Sequence, residues 1–214
     1  MIHVGNDIVD LKTPEAMGKA TDIRFMQRVL NSDEQQVVLN SDHADSFLWA
    51  FWAAKESAYK AVSKSYPDVS SAPRRYPVRF DSGKVSSTLS GIVKTPHGTV
   101  PVKIFFNEDY VHCIGIDKCS EDLEKVVFGL KEIEPDTQPG SYSLPERESI
   151  MVRRLSKERI ASLLGRNSND IHIMRNKCSS GQGPPTVYYR GEKDNIDISL
   201  SHDGRFAAYA FWAV

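Results

Sequence analysis

The pattern of hydrophobic and polar positions predicts short strands that alternate with two long helices. Apolar residues recur at intervals of three and four over Ser46–Ser63, which is the spacing of one buried helical face. Asp45 or Ser46 is expected to accept hydrogen bonds from the first turn of this helix. The same reading predicts a second long helix from about Glu146 to Leu164, and a shorter one over Thr21–Asn31.

Runs of apolar residues bounded by turn-forming residues predict the strands. These are Met1–Leu11, Val78–Phe80, Val100–Phe106, Tyr110–Ile116, Lys125–Ile133, Ile171–Met174, Thr186–Tyr189, Ile196–Leu200 and Arg205–Ala213. The last two strands are predicted to form a hairpin turned by Asp203-Gly204, and Pro135–Pro145 is predicted to be a loop.

The two halves of the chain repeat this order of elements, which indicates an internal duplication. Each half begins with a strand, continues with a helix that carries a Lys-Glu pair, and ends on an apolar strand. The two pairs are Lys55-Glu56 and Lys157-Glu158. We therefore predict an α+β fold of two similar units, residues 1–118 and 124–214, packed side by side with a cleft at their junction.

Composition and charge exclude several classes of protein. The chain has 214 residues, of which 40% are hydrophobic and 26% charged, with a net charge of −1. Such a balance gives no general attraction to nucleic acid or to an anionic membrane, so an anion-binding site must be local. Apolar runs are shorter than the ~20 residues that span a bilayer, and no signal peptide is recognised. Three Cys without a Cys-x-x-Cys pair favour a reduced, cytoplasmic setting.

Asp7 is the first candidate for chemistry. It lies near the end of the first predicted strand, on the same face as Gly5 and Val9. A role in local hydrogen bonds is one interpretation. The other is a magnesium ligand, because Mg²⁺ is commonly held by one or two carboxylates together with substrate phosphates. Gly5 is then expected to let a ligand approach the backbone.

The first long helix carries three charged candidates. Glu56 and Lys60 share one stripe of the helix, and Lys55 lies about 100° around it. One interpretation is a surface ion pair worth about 0.3–0.5 kcal/mol. The flanking residues are mostly aromatic or small and apolar, however, and charges in such surroundings are costly unless they are paired or used. The alternative is a Glu that binds metal and two Lys that contact phosphates.

Ser201 and His202 follow an alternating strand near the end of the chain. A hydrolase triad with Asp203 is rejected, because adjacent strand residues point to opposite faces and the chain has no Gly-x-Ser-x-Gly. His202 is either a structural partner or a donor to a phosphate. Early on the second long helix, a cluster of arginines is either a solvated face or a second phosphate site; it comprises Arg147, Arg153 and Arg154.

Together these segments resemble the 4′-phosphopantetheinyl transferases. The matching segments are Gly5–Val9, Trp52–Lys60 and Ile198–Phe211, and Arg24–Leu30 with Glu34 is similar to the stretch that precedes the family's Lys-Glu helix. The family moves the phosphopantetheine arm of coenzyme A onto a serine of an acyl, peptidyl or aryl carrier protein and releases adenosine 3′,5′-bisphosphate. An apo-carrier protein and coenzyme A are therefore the expected partners.

The resemblance also implies a role for each candidate residue. Asp7 and Glu56 would hold Mg²⁺ on the pyrophosphate, and Glu56 would accept the proton of the carrier serine. Lys55 and Lys60 would neutralise phosphate charge, with Lys60 stabilising the leaving group. Three residues of the second half would bind the nucleotide, namely Ser201, His202 and Arg147.

The order of the halves departs from that of surfactin-type members, in which the unit with the Ser-His hairpin comes first. Here the unit with Asp7 leads, as in the short holo-acyl-carrier-protein synthases, but the chain is nearly twice as long. The resemblance therefore implies a pseudo-dimer within one chain, with its site between the halves, for which a monomer suffices. Lys157-Glu158 is not expected to form a second site, because Lys131 stands where Asp7 does in the first half.

Two further departures keep an alternative function open. Val9 stands where fused members carry a third metal-binding carboxylate, a place that a water would take. Pro184 replaces the phosphate-contacting Lys of a Gly-Lys-Pro motif. The alternatives are a non-catalytic coenzyme A-binding or nucleotide-binding module of the same fold, and a purely structural interaction domain.

Overall fold

Two antiparallel sheets of five strands each form the framework of the protein, whose computed structural model describes residues 1–81, 87–133, 144–178 and 181–213. The first sheet consists of β1 (Val4–Asp10), β2 (Val78–Phe80), β3 (Thr88–Thr95), β4 (Gly98–Phe106) and β5 (Tyr110–Ile116), in the order β1-β5-β4-β3-β2. The second consists of β6 (Val127–Glu132), β7 (Ile171–Cys178), β8 (Gly181–Tyr189), β9 (Glu192–Asp203) and β10 (Phe206–Trp212), in the order β6-β10-β9-β8-β7.

Helices accompany both sheets and confirm the α+β class with two similar units. They are α1 (Ile23–Val29), α2 (Ser32–Leu39), α3 (Ala44–Val62), α4 (Ser120–Leu123) and α5 (Leu144–Leu164). The predicted long helices correspond to α3 and α5, whereas α2, α4 and strand β3 were not predicted. In the described ranges no helix combines the length and the apolar character that crossing a bilayer requires. Most of the loop predicted over Pro135–Pro145 lies outside the described residues.

Helix α3 packs directly on β1, and Gly5 makes this contact possible. A Cβ atom at Gly5 would lie 1.8 Å from the carbonyl oxygen of Ser57, so any larger residue would push the helix away. The expectation that Gly5 admits a ligand is therefore wrong, because helix backbone fills that space. The close packing places Glu56 and Lys60 of α3 beside Asp7.

The start of α3 also differs from the prediction. The helix begins at Ala44, and His43 at the N-cap position makes no side-chain capping bond. Asp45 lies inside the first turn and accepts from the backbone N–H groups of Gly18 and Ala20, each at 2.7 Å. Its carboxylate thus ties the segment before α1 to α3, and the predicted cap at Asp45 or Ser46 is wrong.

A regular set of hydrogen bonds joins the two sheets, and we call it the β1–β9 ladder. Backbone N–H groups at alternate residues of β1 donate to side-chain oxygens at alternate residues of β9. The four pairs are Val4 to Asp197 at 2.8 Å, Asn6 to Ser199 at 3.0 Å, Ile8 to Ser201 at 3.2 Å and Asp10 to Asp203 at 2.8 Å. Each pair is separated by 193 residues, so the strands run in the same direction in one register.

The intervening side chains of β9 face the other way, as a strand period of two requires. Ile198 and Leu200 are buried in the apolar cluster that also contains Val152 and Ile160 of α5. His202 continues this row and contacts α5 as well. Adjacent residues of β9 therefore serve different neighbours, with Ser201 directed to β1 and His202 directed to α5.

Candidate active site

Asp7 lies where β1, α3 and β9 meet. Its Oδ1 accepts a hydrogen bond from Lys60 Nζ at 2.7 Å and another from Ser201 Oγ at 2.9 Å. Lys60 Nζ also donates to the carbonyl oxygen of Asn6 at 3.0 Å. The fold thus brings together a carboxylate of the first strand, a lysine of α3 and a serine of the second sheet.

Glu56 lies on α3, one turn before Lys60, and lines a cavity of about 370 Å³ together with Asp7. Three aromatic rings form much of its wall, those of Phe25, Trp49 and Trp52. Burial raises the pKa of the Glu56 carboxyl to about 7; the negative charge of Asp7 adds to the rise, and the positive charge of Lys60 opposes it. We call this space the carboxylate cavity.

A second cavity, of about 360 Å³, shares Asp7 and His202 with the first. Its other polar walls are Lys60, Ser149, Arg153, Arg175, Gln182 and Ser201. Within the described ranges, neither Arg153 nor Arg175 forms an ion pair with a carboxylate. Burial and the like charge of Arg153 lower the pKa of Arg175, as expected where two guanidinium groups share a space. We call this space the basic cavity.

A buried carboxylate on α5 orients His202. The Nδ1 atom of His202 lies 2.8 Å from Oε2 of Glu148, whose side chain is only 8% exposed. Since a carboxylate only accepts, Nδ1 carries the hydrogen and Nε2 is the ring nitrogen left for a ligand. Glu148 was not predicted as a site residue, since the residues around it in sequence, Glu146, Arg147 and Ser149, are themselves polar. Its neighbour Arg147 is half-buried and lines neither cavity.

Lys55, like Arg147, is a predicted site residue that lines neither cavity. Its side chain is 1% exposed, and its Nζ donates to both carboxylate oxygens of Glu34 at 2.8 Å and to the carbonyl of Tyr76 at 2.9 Å. Glu34 also accepts from the backbone N–H groups of Asn31 and Val78. Burial lowers the pKa of Lys55 and the charge of Glu34 opposes this shift. The cation is already neutralised in the core, which corrects the role expected for it.

Asp7 and Glu56 are the residues that could hold a divalent metal ion. In the part of the chain that the structure describes, no three His, Cys, Asp or Glu side chains converge as a metal cluster. Two neighbouring carboxylates with mutual repulsion do fit Mg²⁺, which is held by one or two protein carboxylates while substrate oxygens and waters fill its other positions. Val9 offers no oxygen from its side chain. Glu15 and Asp203 line the same cavity, but they do not join Asp7 and Glu56 in a cluster of three in the described part of the chain.

Comparison with known proteins points to one family. The family model for the 4′-phosphopantetheinyl transferase superfamily matches residues 3–114. A holo-[acyl-carrier-protein] synthase of Mycoplasma pneumoniae is 32% identical over 98 residues, which cover 42% of this chain and 82% of that protein. The family match contains Asp7, Glu56 and Lys60 but ends before strand β9, which carries Ser201 and His202.

Proposed function

The chain belongs to the 4′-phosphopantetheinyl transferase superfamily, and on this basis we propose that it moves the 4′-phosphopantetheine group of coenzyme A onto a serine of an apo acyl or peptidyl carrier protein. One observation carries the proposal beyond the family match: Asp7 and His202 line both cavities. The basic cavity offers cations to a phosphate-rich donor, and the carboxylate cavity offers Glu56 to an acceptor hydroxyl. Donor and acceptor would meet beside Asp7.

The basic cavity supplies the binding energy for the donor. Arg153 and Arg175 form no ion pair with a carboxylate in the described ranges. Arg153 already donates from Nε to the carbonyl of Ile173 and from Nη1 to Ser149, so its Nη2 is the group left for a phosphate oxygen. Arg175 donates from Nη1 to the carbonyl of Gly183, which leaves Nε and Nη2 for a bidentate contact with phosphate. His202, held by Glu148, would bind the nucleotide part of the donor from the wall that the cavities share. The two arginines would take over the charge neutralisation that Lys55 and Pro184 do not provide.

Transfer requires one bond to form and one to break. The oxygen of the carrier serine attacks the phosphorus that bears the pantetheine arm, and the bond from this phosphorus to the bridging oxygen breaks. The serine proton passes to Glu56, and the charge that develops on the leaving adenosine 3′,5′-bisphosphate is stabilised by Lys60. A Mg²⁺ ion held by Asp7 and Glu56 would neutralise pyrophosphate charge. The chain's own contribution is therefore positioning and electrostatic stabilisation.

One chain contributes both walls of the site, so a monomer is proposed to be the active species. Asp7, Glu56 and Lys60 come from the first sheet and its helix, and His202 comes from the second sheet. The β1–β9 ladder fixes these parts in register. The two units would thus act as an intrachain pseudo-dimer.

The experiment is to incubate the protein with coenzyme A, Mg²⁺ and a panel of apo-carrier proteins, and to measure the intact mass of each carrier. We expect at least one carrier to gain a single phosphopantetheine group, and the gain to disappear with EDTA. Light scattering during size-exclusion chromatography should place the activity in the monomer peak. Tight binding of coenzyme A without modification of any carrier would support the non-catalytic alternative instead.

A further inference from the structure

Ser201 differs from the other side chains of the β1–β9 ladder because its hydroxyl has two partners. Like Ser199, it accepts a hydrogen bond from a backbone N–H group of β1, that of Ile8 at 3.2 Å. In addition, its Oγ donates to Oδ1 of Asp7 at 2.9 Å. The residue is buried, with 6% exposure. It therefore links the contact between the sheets to the carboxylate of the site.

The single proton of a hydroxyl limits what Ser201 can do. An ionised phosphate oxygen accepts hydrogen bonds and needs a donor. The proton of Ser201 is already given to Asp7, and the N–H group of Ile8 approaches its oxygen. Ser201 would have to release Asp7 in order to bind a phosphate. This argues against the phosphate-binding role that the family resemblance implies for Ser201.

The hydrogen bonds on Asp7 show what the link provides. Lys60 and Ser201 both donate to Oδ1, and in the described ranges Oδ2 accepts no hydrogen bond. The Lys60 side chain is 29% exposed, so it has room to turn towards a phosphate, as the proposed function requires. When it does so, Ser201 remains as the donor that fixes the rotation of the carboxylate. Its own position is fixed by the ladder.

We propose that Ser201 is a positioning residue that holds the Asp7 carboxylate in the orientation needed to bind a divalent cation. The role for the cation rests on the proposed function, but the contacts of Ser201 do not. Residues that orient a metal-binding side chain typically change metal affinity or activity by about 10–100-fold when they are lost. The serine of the Ser-His pair is then a part of the metal site. Phosphate binding is left to the arginines, and to His202 when its ring is protonated, since Nδ1 already donates to Glu148.

The chain offers a matched control in Ser199. Its Oγ accepts from the backbone N–H of Asn6 at 3.0 Å, and its exposure is 3%. It forms no hydrogen bond with Asp7. Ser199→Ala therefore removes one contact of the ladder, whereas Ser201→Ala removes one contact of the ladder and the donor to Asp7. The shift of the urea midpoint is expected to be somewhat larger for Ser201→Ala, which loses two hydrogen bonds, than for Ser199→Ala, which loses one.

The test measures Mn²⁺ binding by electron paramagnetic resonance in the presence of coenzyme A, and transfer rates over a Mg²⁺ titration. For Ser201→Ala we expect cation affinity to fall about 10–100-fold, with an unchanged KM for coenzyme A at saturating Mg²⁺. For Ser199→Ala both quantities should match the wild type. Ser201→Cys, whose S–H is a weak donor, should show the same loss of affinity and replaces the alanine variant if that one does not fold.

Two results would overturn the inference. One is a raised KM for coenzyme A with unchanged cation affinity in Ser201→Ala, which would return the serine to phosphate binding. The other is an equal loss of cation affinity in both serine variants, which would reduce Ser201 to a contact between the sheets. The Mn²⁺ measurement needs no turnover, so it decides the role of Ser201 even if the wild-type protein modifies no carrier.

Discussion

The same dipeptide occurs in both long helices, in opposite surroundings. In α3, Lys55 is buried against Glu34, and Glu56 faces a cavity beside Asp7. In α5, Glu158 is exposed and forms an i,i+4 ion pair with Arg154, whose side chain is 71% exposed. The motif alone therefore does not make a site. The two pairs differ in chemistry because their neighbours differ. Strand β1 places Asp7 near Glu56 of α3, whereas β6 carries Lys131 at the corresponding position.

Burial is the physical variable that separates the two regions. The Glu56 carboxyl is half-buried near Asp7, and its pKa is raised to about 7. Near neutral pH, small changes in its surroundings therefore change its charge. An exposed carboxylate such as Glu158 is screened by water, and its ion pair contributes little. Of the two dipeptides, the one in α3 thus has its charges in the interior, and the one in α5 has its glutamate on the surface. Substitutions that remove charges should affect the two halves unequally.

The largest effect on stability is expected where a buried pair is broken. Lys55→Met leaves the Glu34 carboxylate buried without its cation, which should lower the free energy of unfolding by about 3–5 kcal/mol. The double variant Glu34→Leu/Lys55→Met should recover part of this loss. Arg154→Met breaks the exposed pair of α5 and should cost no more than about 0.5 kcal/mol. Urea titrations measure all three, and similar losses for Lys55→Met and Arg154→Met would remove the contrast.

The next effect separates the two lysines of α3 by function. Lys60→Met should lower the rate of transfer about 10²-fold, because this cation contacts Asp7 and lines the basic cavity. Its free energy of unfolding should change by less than that of Lys55→Met, because the Lys60 side chain is partly exposed. Lys157→Met on α5 serves as the control and should retain full activity. Unchanged transfer by Lys60→Met would exclude this lysine from the site.

A smaller effect is expected in the dependence of stability on pH, through His112 of β5. This histidine is fully buried, and neither ring nitrogen has a hydrogen-bond partner in the described ranges. Burial, reinforced by the charge of Lys60, lowers its pKa to about 3. The folded state thus keeps His112 neutral while the unfolded chain takes up a proton near pH 6.5. Stability contributed in this way is complete above pH 6.5 and is lost as the pH falls towards 3.

Through His112 alone, we expect the free energy of unfolding of the wild type to be about 2 kcal/mol lower at pH 5 than at pH 8. His112→Phe should remove this contribution to the dependence of unfolding free energy on pH. The aromatic neighbours Phe105 and Phe128 can pack against the new ring. The exposed His172 of the second sheet provides the control, since His172→Gln should leave the slope unchanged. Urea titrations at several pH values give the free energy of unfolding against pH for each protein. Parallel curves for the wild type and His112→Phe would contradict the role given to His112.

The fold could be predicted from the sequence where local pattern decides structure. The spacing of apolar residues predicted α3, and apolar runs bounded by turn-forming residues predicted most strands. Helix α2 was missed although Asn31 and Glu34 form the capping box whose spacing marks the start of a helix. Strand β3 was missed as well, although its residues alternate between exposed and buried, because Gly91 interrupts the run of side chains.

The partners within the candidate site could be predicted only in part. Asp7, Glu56, Lys60 and His202 were singled out by residue type and spacing, and the fold brings them together. The partner of Lys55 lies 21 residues away in a helix that was not predicted, so its ion pair could not be foreseen. Glu148 was missed for a related reason, since its contact with His202 depends on how α5 packs on β9. Pairings of this kind depend on tertiary packing.

The most direct test compares the two Lys-Glu pairs in one assay. The rate at which an apo-carrier protein gains mass in the presence of coenzyme A and Mg²⁺ is measured for the wild type, Glu56→Gln and Glu158→Gln. The account predicts that Glu56→Gln loses about 10²–10⁴-fold in rate while remaining folded, and that Glu158→Gln matches the wild type. Equal rates for all three proteins, or an equal loss in both variants, would contradict it.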